Sequence, residues 1–210
     1  MKKVVILAMG GTIAGRGAAG KGTNYRPGEI GVEELVKSVP GLEQLAVLEY
    51  DQVANMNSDD ISACHWLELE RIIRERAGDP EVAGFVITHG TDTLEETAFF
   101  LHLTVRTEKP VVLTGSMRPA TAISADGPAN LYAAVVTAAS PEAVGRGVLV
   151  VFAERIYSAR EVQKVSTFAV EAFDGRDYDC LGYVLEDKAV FVQPGRTAAE
   201  KLKRQRETIK

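Results

Sequence analysis

The sequence predicts an α/β protein built on a doubly wound, mostly parallel sheet. Two patterns lead to this prediction: short apolar runs rich in β-branched residues recur along the chain, and segments with helical periodicity lie between them. Continuous apolar strands separated by helices are typical of parallel strands that are covered on both faces. Right-handed crossovers then restrict the topology to a doubly wound sheet, and we expect one of the flavodoxin-like type.

The individual elements follow from these patterns. Parallel strands are expected at residues 3–8, 46–53, 84–88, 110–114 and 147–152. Helices are expected between them, at residues 32–39, 60–77, 93–107 and 127–139. Near the end, residues 182–192 predict a C-terminal antiparallel hairpin that turns at Glu186, Asp187 and Lys188.

Length and composition indicate a single domain. With 210 residues, of which 46% are hydrophobic and 25% charged, the chain can bury one substantial core. We expect residues 1–193 to form the α/β domain, with no second domain. Residues 194–210 are polar, and Thr197 and Glu200 have the spacing of a capping box, so we expect a tail that is helical or frayed.

Charge and cysteine content narrow the range of partners. The net charge of −5 and the pI near 5.4 provide no broad basic surface for nucleic acid or anionic lipid, so we expect a small-molecule partner. Cys64 and Cys180 are too few for a disulfide framework and lack metal-binding spacing. We therefore predict free thiols in the cytoplasm, and neither a metal nor a cofactor.

The N-terminus resembles the start of a secretory signal, because two lysines precede an apolar run. That run is short and passes directly into Gly10, Gly11 and Thr12 without a polar cleavage region, so a buried first strand is the better interpretation. No apolar stretch approaches the length of a membrane span, and we expect no membrane partner.

Small polar residues follow each of the first four predicted strands, at 10–15, 55–59, 89–93 and 115–119. Each loop alone has a structural explanation: glycines permit tight turns, Ser58 and Asp59 can cap the next helix, and Thr93 with Glu96 matches a capping box. Ligands, however, bind at the carboxyl edge of an open parallel sheet. Together the loops predict one crevice lined by hydroxyl groups, in which glycines let a ligand approach the main chain.

A nucleotide site is the main competing interpretation, because a glycine-rich loop follows the first strand. Residues 10–15 do not match GxGxxG, and the phosphate-binding pattern GxxxxGK[ST] is absent. The pattern GxSxG, typical of α/β-hydrolases, is absent as well. Hydroxyl groups remain the best nucleophile candidates, and they need activation.

The most distinctive segments of the chain are AMGGTIAG at 8–15 and VITHGTDTLEETA at 86–98, with others at 113–119, 124–131, 147–152 and 181–183. Together and in this order, these motifs resemble the L-asparaginase family. The resemblance therefore covers almost the whole chain. It implies hydrolysis of L-asparagine to L-aspartate and ammonia through a threonine nucleophile, with minor glutaminase activity and no cofactor.

The resemblance also implies roles for particular residues. Thr12 would be the primary nucleophile, and Tyr25, on the loop after the first strand, would help to activate it and cover the substrate. A second hydroxyl-centred group would comprise Thr91, Asp92 and Lys164. Ser58 and Asp59 would hold the α-amino and α-carboxyl groups, and the remaining expected ligand neighbours are Gly11, His89, Gly90 and Ser116.

Amide hydrolysis requires an activated nucleophile, a proton route to the leaving ammonia and donors for the developing oxyanion. A lysine accepts a proton only when it is neutral, so the protonation state of Lys164 stays open, as does the choice between Thr12 and Thr91 for the first attack. We further predict that the segment before Tyr25 closes as a lid. Its glycines are Gly15, Gly17, Gly20 and Gly22.

The resemblance further implies a second, smaller domain that helps to complete a neighbouring subunit's site. Because the sequence ends soon after Gln193, we expect that domain to be missing and the chain to form a homo-oligomer, a dimer or a tetramer. Three alternatives to an active asparaginase are a non-catalytic amino-acid-binding domain, a truncated inactive asparaginase domain and the amidase subunit of a tRNA-dependent amidotransferase. The last is the weakest, because the sequence predicts no basic face.

Overall fold

The computed structural model describes residues 2–20, 25–176 and 180–193. In chain order, its strands are β1 (Lys3–Gly10), β2 (Arg16–Gly17), β3 (Tyr25–Arg26), β4 (Val47–Met56), β5 (Val82–Thr88), β6 (Val111–Thr114), β7 (Val148–Phe152), β8 (Arg155–Ser158), β9 (Gln163–Lys164), β10 (Phe173–Asp174), β11 (Gly182–Leu185) and β12 (Lys188–Phe191). The α-helices are α1 (Val32–Lys37), α2 (Leu42–Leu45), α3 (Ala63–Arg76), α4 (Leu94–Thr104) and α5 (Gly127–Ala139). Short 3-10 turns lie at Thr12–Ala14, Ser58–Asp60 and Pro141–Ala143.

The main sheet has eight strands in the order β12-β11-β8-β7-β6-β5-β1-β4. Strands β4, β1, β5, β6 and β7 are parallel to one another, and β8, β11 and β12 extend the sheet in antiparallel fashion. The parallel strands have the flavodoxin-like order, so the predicted fold class is confirmed. In this order, consecutive crossovers leave β1 and β5 in opposite directions. The carboxyl ends of two such strands are where open parallel sheets form a ligand-binding crevice.

Helices cover both faces of the sheet, as the unbroken apolar strands predict. Along β1, Val4 and Ile6 face the cluster formed with α1, α2 and α5, whereas Val5 and Leu7 face the cluster formed with α3 and α4. All four side chains are fully buried. Burial of each such side chain stabilises the fold by about 1.5–3 kcal/mol, which fixes the strand ends that carry the loops.

Helix α5 packs against β5 more closely than side chains normally allow. A Cβ atom at Gly84 would lie only 2.3 Å from the carbonyl oxygen of Ala138. Pro128 lies in the first turn of the helix, where its missing N–H costs nothing. The observed bounds, Gly127–Ala139, match the prediction because proline starts the helix and its small apolar residues are buried along its length.

Several elements differ from the prediction. Strand β4 continues to Met56 because it pairs with β1 as far as Gly10, and α4 ends at Thr104. Strand β8, the short helix α2 and the two-residue ribbons β2–β3 and β9–β10 were not predicted, since elements of this length carry too little periodicity. The C-terminal hairpin is present, but its turn is Glu186-Asp187, and Lys188 already belongs to β12.

Two predictions concern parts of the chain that the structure tests incompletely. The polar tail predicted at 194–210 lies outside the described residues, and the assignment of 1–193 to one domain stays a prediction.

In the described part of the chain, none of the helices is long and apolar enough to cross a membrane. The same part contains no cluster of three or more His, Cys, Asp or Glu side chains arranged for a metal ion.

Candidate active site

Three loops meet at the crevice between β1 and β5. Gly11 follows β1 with a positive φ of 78°, and a Cβ atom there would lie 2.4 Å from the Cα atom of Gly90 in the loop after β5. A Cβ atom at Gly90 would in turn lie 2.7 Å from the Cβ atom of Ser58 in the loop after β4. Only glycine permits these contacts, so Gly11 and Gly90 bring the three loops together.

Thr12, directly after Gly11, is paired with Tyr25. Their hydroxyl oxygens are 2.7 Å apart, and either one can be the donor. The Tyr25 ring lies against the main chain at Gly15, where a Cβ atom would be 2.7 Å from the ring. Both Thr12 and Tyr25 are half-buried, so a ligand from solvent can reach this hydroxyl pair.

The segment that precedes Tyr25 is fastened to the loop after β6. The N–H of Gly17 donates to the Thr121 hydroxyl at 3.0 Å, and the N–H of Gly20 donates to the Thr121 carbonyl at 2.9 Å. The N–H of Ala120 donates to the carbonyl of Gly15 at 3.1 Å. The predicted lid thus has a docked arrangement between residues 15 and 20, while Gly22 lies outside the described residues.

Thr91, Asp92 and Lys164 form a second hydroxyl-centred group. The Lys164 Nζ atom lies 2.8 Å from Thr91 Oγ1 and 2.6 Å from Asp92 Oδ1. Thr91 is only 6% exposed, and the side chain of Lys164 is 13% exposed against 56% for Asp92. Because the Lys164 Nζ atom donates to Thr91, the threonine hydroxyl keeps its own hydrogen for another acceptor.

Ser58 and Asp59 lie in the 3-10 turn after β4. Ser58 is 1% exposed, and its hydroxyl has no hydrogen-bond partner within the described ranges. Thr93 Oγ1 donates to the Ser58 carbonyl at 2.9 Å, which joins the loops after β4 and β5. Asp59 is exposed and receives one long hydrogen bond, of 3.4 Å, from Asn57.

These contacts overturn the two capping interpretations. Helix α3 is capped by Ser62 and His65, which form a capping box, and not by Ser58 or Asp59. The Thr93 side chain makes no capping hydrogen bond to the described start of α4, because its hydroxyl is directed at the neighbouring loop. Thr93 therefore belongs to the candidate site, and its position directly after Thr91 and Asp92 was a sequence signal for this.

The structure places Ser116 within its own loop and not among the two hydroxyl groups. Its buried hydroxyl donates to the carbonyl of Arg118 at 2.7 Å. The carboxylate of Asp126 accepts hydrogen bonds of 2.9 Å from the N–H groups of Met117 and Arg118. These bonds hold the loop after β6 in place, and the substrate contact expected for Ser116 stays a prediction.

A buried histidine supports the loop that carries Thr91. Burial lowers the pKa of His89 from 6.5 to about 4, although its hydrogen bond to Gly90 acts in the opposite direction. The neutral ring donates from Nδ1 to the Gly90 carbonyl at 2.7 Å, because a carbonyl can only accept. Its Nε2 accepts from Thr97 at 3.0 Å, and Thr97 accepts from the indole N–H of Trp66 at 2.7 Å.

Sequence reasoning did not assign this chain of hydrogen bonds. Thr97 lies within the motif at 86–98, but Trp66 carries no local signal, because its contact spans 31 residues. These hydrogen bonds orient the Gly90 peptide group and therefore Thr91, the residue that follows it. His89 acts on the candidate site through the Gly90 carbonyl, as a neutral imidazole that keeps its one ring proton on Nδ1 near neutral pH.

Comparisons with known proteins find similar sequences over most of the chain. Residues 3–196 match the family model described as "Asparaginase, N-terminal". The chain is 46% identical over 188 residues to "Probable L-asparaginase periplasmic" from Haemophilus influenzae, and 47% identical over 190 residues to "Glutaminase-asparaginase" from Pseudomonas fluorescens biotype A. Each alignment covers 90% of this chain.

A solved structure is also similar. The crystal structure of "Probable Cytoplasmic L-asparaginase" from Campylobacter jejuni superposes with a TM-score of 0.89 and 44% identity, over 92% of this chain and 59% of that chain. The chain spans about half the length of the curated relatives it matches, 53% and 52% for the two proteins above.

Proposed function

The chain belongs to the asparaginase family, and from this premise we propose that it hydrolyses L-asparagine to L-aspartate and ammonia. One observation supports the proposal above all. Two hydroxyl groups with polar partners, Thr12 with Tyr25 and Thr91 with Lys164, follow the contacting glycines Gly11 and Gly90 at the end of neighbouring parallel strands.

Thr12 makes the first attack in this proposal, because Thr91 already receives a hydrogen from Lys164. The Thr12 oxygen forms a bond to the carboxamide carbon, and its proton passes through Tyr25 to the departing nitrogen. The C–N bond breaks and ammonia leaves. Water then cleaves the threonine ester, and Thr12 regains its proton as aspartate is released.

The Thr91 group stabilises the charge that develops during this attack. Lys164 and Asp92 fix the Thr91 oxygen, so its hydrogen is directed at the substrate, where it donates to the carboxamide oxygen as negative charge accumulates there. A donor held in place before the reaction needs no reorganisation. Removal of one such donor typically costs about 10²–10³ in kcat.

Ser58 and Asp59 recognise the backbone end of the substrate. The buried Ser58 hydroxyl gains a partner when the α-carboxylate binds, and the exposed Asp59 carboxylate pairs with the α-amino group. Glutamine is a secondary substrate in this proposal, which the relative named glutaminase-asparaginase supports.

The proposal includes a homo-oligomer, a dimer or tetramer, in the cytoplasm. Val165 and Phe168, 60% and 85% exposed, lie close to Lys164 in the chain and support self-association beside the site. The free thiols of Cys64 and Cys180 and the relative named cytoplasmic support a reducing compartment. Sedimentation of the purified chain measures the first point.

Ammonia release from asparagine and glutamine tests the proposed reaction. We expect Thr12→Ala and Lys164→Ala each to lower kcat at least about a hundredfold, the scale for losing a nucleophile or a charged partner. Thr104→Ala and Lys37→Ala are matched controls, because Thr104 bonds within α4 and Lys37 lies on the surface of α1. These controls should retain wild-type turnover.

Two outcomes would contradict the proposal. Wild-type rates in Thr12→Ala and Lys164→Ala would rule out the assigned roles. Aspartate binding by calorimetry without any turnover of asparagine would favour the non-catalytic binding domain instead.

A further inference from the structure

Lys164 lies on an unusually small element for a residue with so exact a position. It belongs to the two-residue strand β9, which pairs only with the two-residue strand β10 among the described strands and not with the main sheet. A short ribbon has few hydrogen bonds of its own. The Lys164 side chain nevertheless reaches both Thr91 and Asp92, so contacts outside the ribbon must hold it in place.

One contact is made by the Lys164 main chain. In the ribbon, the N–H of Val165 donates to the carbonyl of Ala172 at 2.8 Å, so the alternation of an antiparallel pair directs the Lys164 N–H to the opposite side. There it donates to the carboxylate of Glu95. Glu95 lies in the first turn of α4, three residues after Asp92.

The other strand of the ribbon is fastened to the main sheet. The Tyr157 hydroxyl on β8 donates to the carbonyl of Phe173 at 3.0 Å, and Phe173 is the residue paired with Lys164. The Phe173 ring also packs against Phe152, with centroids 4.8 Å apart. β10 is therefore fixed to the sheet, and Glu95 alone among the described contacts joins the Lys164 main chain to the helix after Asp92.

We propose that Glu95 is a positioning residue for the Thr91, Asp92 and Lys164 group, acting through the main chain of Lys164. Its carboxylate holds the start of α4 and strand β9 together and thereby sets the distance from the lysine amine to Thr91. This inference rests on the proposed function, and it adds a residue that does not touch the reacting atoms.

Two variants separate the hydrogen bond from the charge. Glu95→Gln retains an oxygen that accepts the Lys164 N–H, whereas Glu95→Ala removes the acceptor. We expect Glu95→Ala to lower kcat about ten- to hundredfold with KM within about twofold, because misplacement by about 1 Å has effects of this size. Glu95→Gln should restore kcat to within about threefold, and Glu96→Ala, an exposed neighbour in the same turn, should match the wild type.

Amide hydrogen exchange at Lys164, measured by NMR on the full chain, reports the contact without any need for turnover. Exchange should accelerate at least about tenfold in Glu95→Ala and stay slow in Glu95→Gln. Unchanged exchange in Glu95→Ala would overturn the contact, and fast exchange with wild-type kcat would overturn the positioning role. A wild type that protects Lys164 but hydrolyses no asparagine would overturn the proposed function, and the positioning role with it.

Discussion

The two hydroxyl groups of the candidate site are built in different ways. Thr12 and Tyr25 are 13 residues apart in the chain, and Tyr25 lies on the short ribbon formed by β2 and β3. Thr91 meets Lys164 across 73 residues, and contacts from α4, β8 and β10 secure their arrangement. The first pair depends on a short local ribbon, whereas the second depends on elements that are far apart in the sequence. The two groups therefore differ in how much of the completed fold each requires.

The largest expected effect comes from Gly11, because its contact with Gly90 joins the loop that carries Thr12 to the loop that carries Thr91. We expect Gly11→Ala to lower the free energy of unfolding by about 3 kcal/mol and to reduce turnover more than about a hundredfold, because the positive φ and the backbone contact each oppose a side chain. Urea denaturation and ammonia release measure these changes. Gly31→Ala is the control, since no atom lies within 4 Å of its Cβ position, and it should change stability by less than about 0.5 kcal/mol.

An unchanged urea midpoint in Gly11→Ala would contradict this prediction. The loops after β1 and β5 could then move apart without a loss of stability, and the contact between Gly11 and Gly90 would not define the site.

The next effect is a pH dependence of the free energy of unfolding, which arises from His89 beneath the loop that carries Thr91. The pKa of His89 is about 4 in the folded chain against 6.5 when unfolded, so the unfolded state binds more protons between these values. Stability from this group is therefore lost as pH falls through that window, by about 2 kcal/mol between pH 7.5 and pH 5. Unfolding free energies at both pH values, for wild type and His89→Gln, measure it.

Thr104→Ala provides the reference, because the Thr104 side chain bonds within α4 and does not titrate. It should retain the wild-type loss on acidification, whereas His89→Gln should reduce that loss by about 2 kcal/mol. Equal losses in both variants would show that His89 is protonated without cost.

The smallest expected effect concerns the contact between Thr12 and Tyr25. Gly15 has an ordinary φ of −86°, but a Cβ atom there would lie 2.7 Å from the Tyr25 ring and 2.9 Å from the Thr12 carbonyl oxygen. Gly15→Ala should therefore lower stability by about 1 kcal/mol and displace the Tyr25 ring from Thr12. We expect kcat/KM for asparagine to fall about tenfold. In a double-mutant cycle with Tyr25→Phe, the two losses should not add, because both remove the same contact. Additive losses would mean that Gly15→Ala acts elsewhere.

Much of the fold could be predicted from local patterns. The apolar strands β1, β5 and β7 and helix α5 each carry an unambiguous signal, and the rule for crossovers restricts the parallel strands to a doubly wound arrangement. Strand β8 escaped prediction because the chain reverses at Ala153 and Glu154, which both have positive φ although neither is glycine. The Asn130 side chain accepts a hydrogen bond from Ala153, and this contact has no trace in local sequence.

The candidate site was predictable to a different extent. The polar loops after β1, β4 and β5 converge as parallel topology requires, and this follows from the residues themselves. Lys164 could be proposed only through family resemblance, since a lysine in a polar segment is usually a surface residue. Glu95, Trp66 and Thr97 were missed, because their contacts depend on the packed helices α3 and α4.

The contact between Gly11 and Gly90 also limits how the chain can be redesigned. At that point the crevice wall is main chain, so there is no side chain to exchange for a larger or smaller one. A longer amide must therefore be admitted by changing side chains around this wall and not the wall itself. Asp59 has to be kept in such a design, because its exposed carboxylate is the proposed partner of the α-amino group.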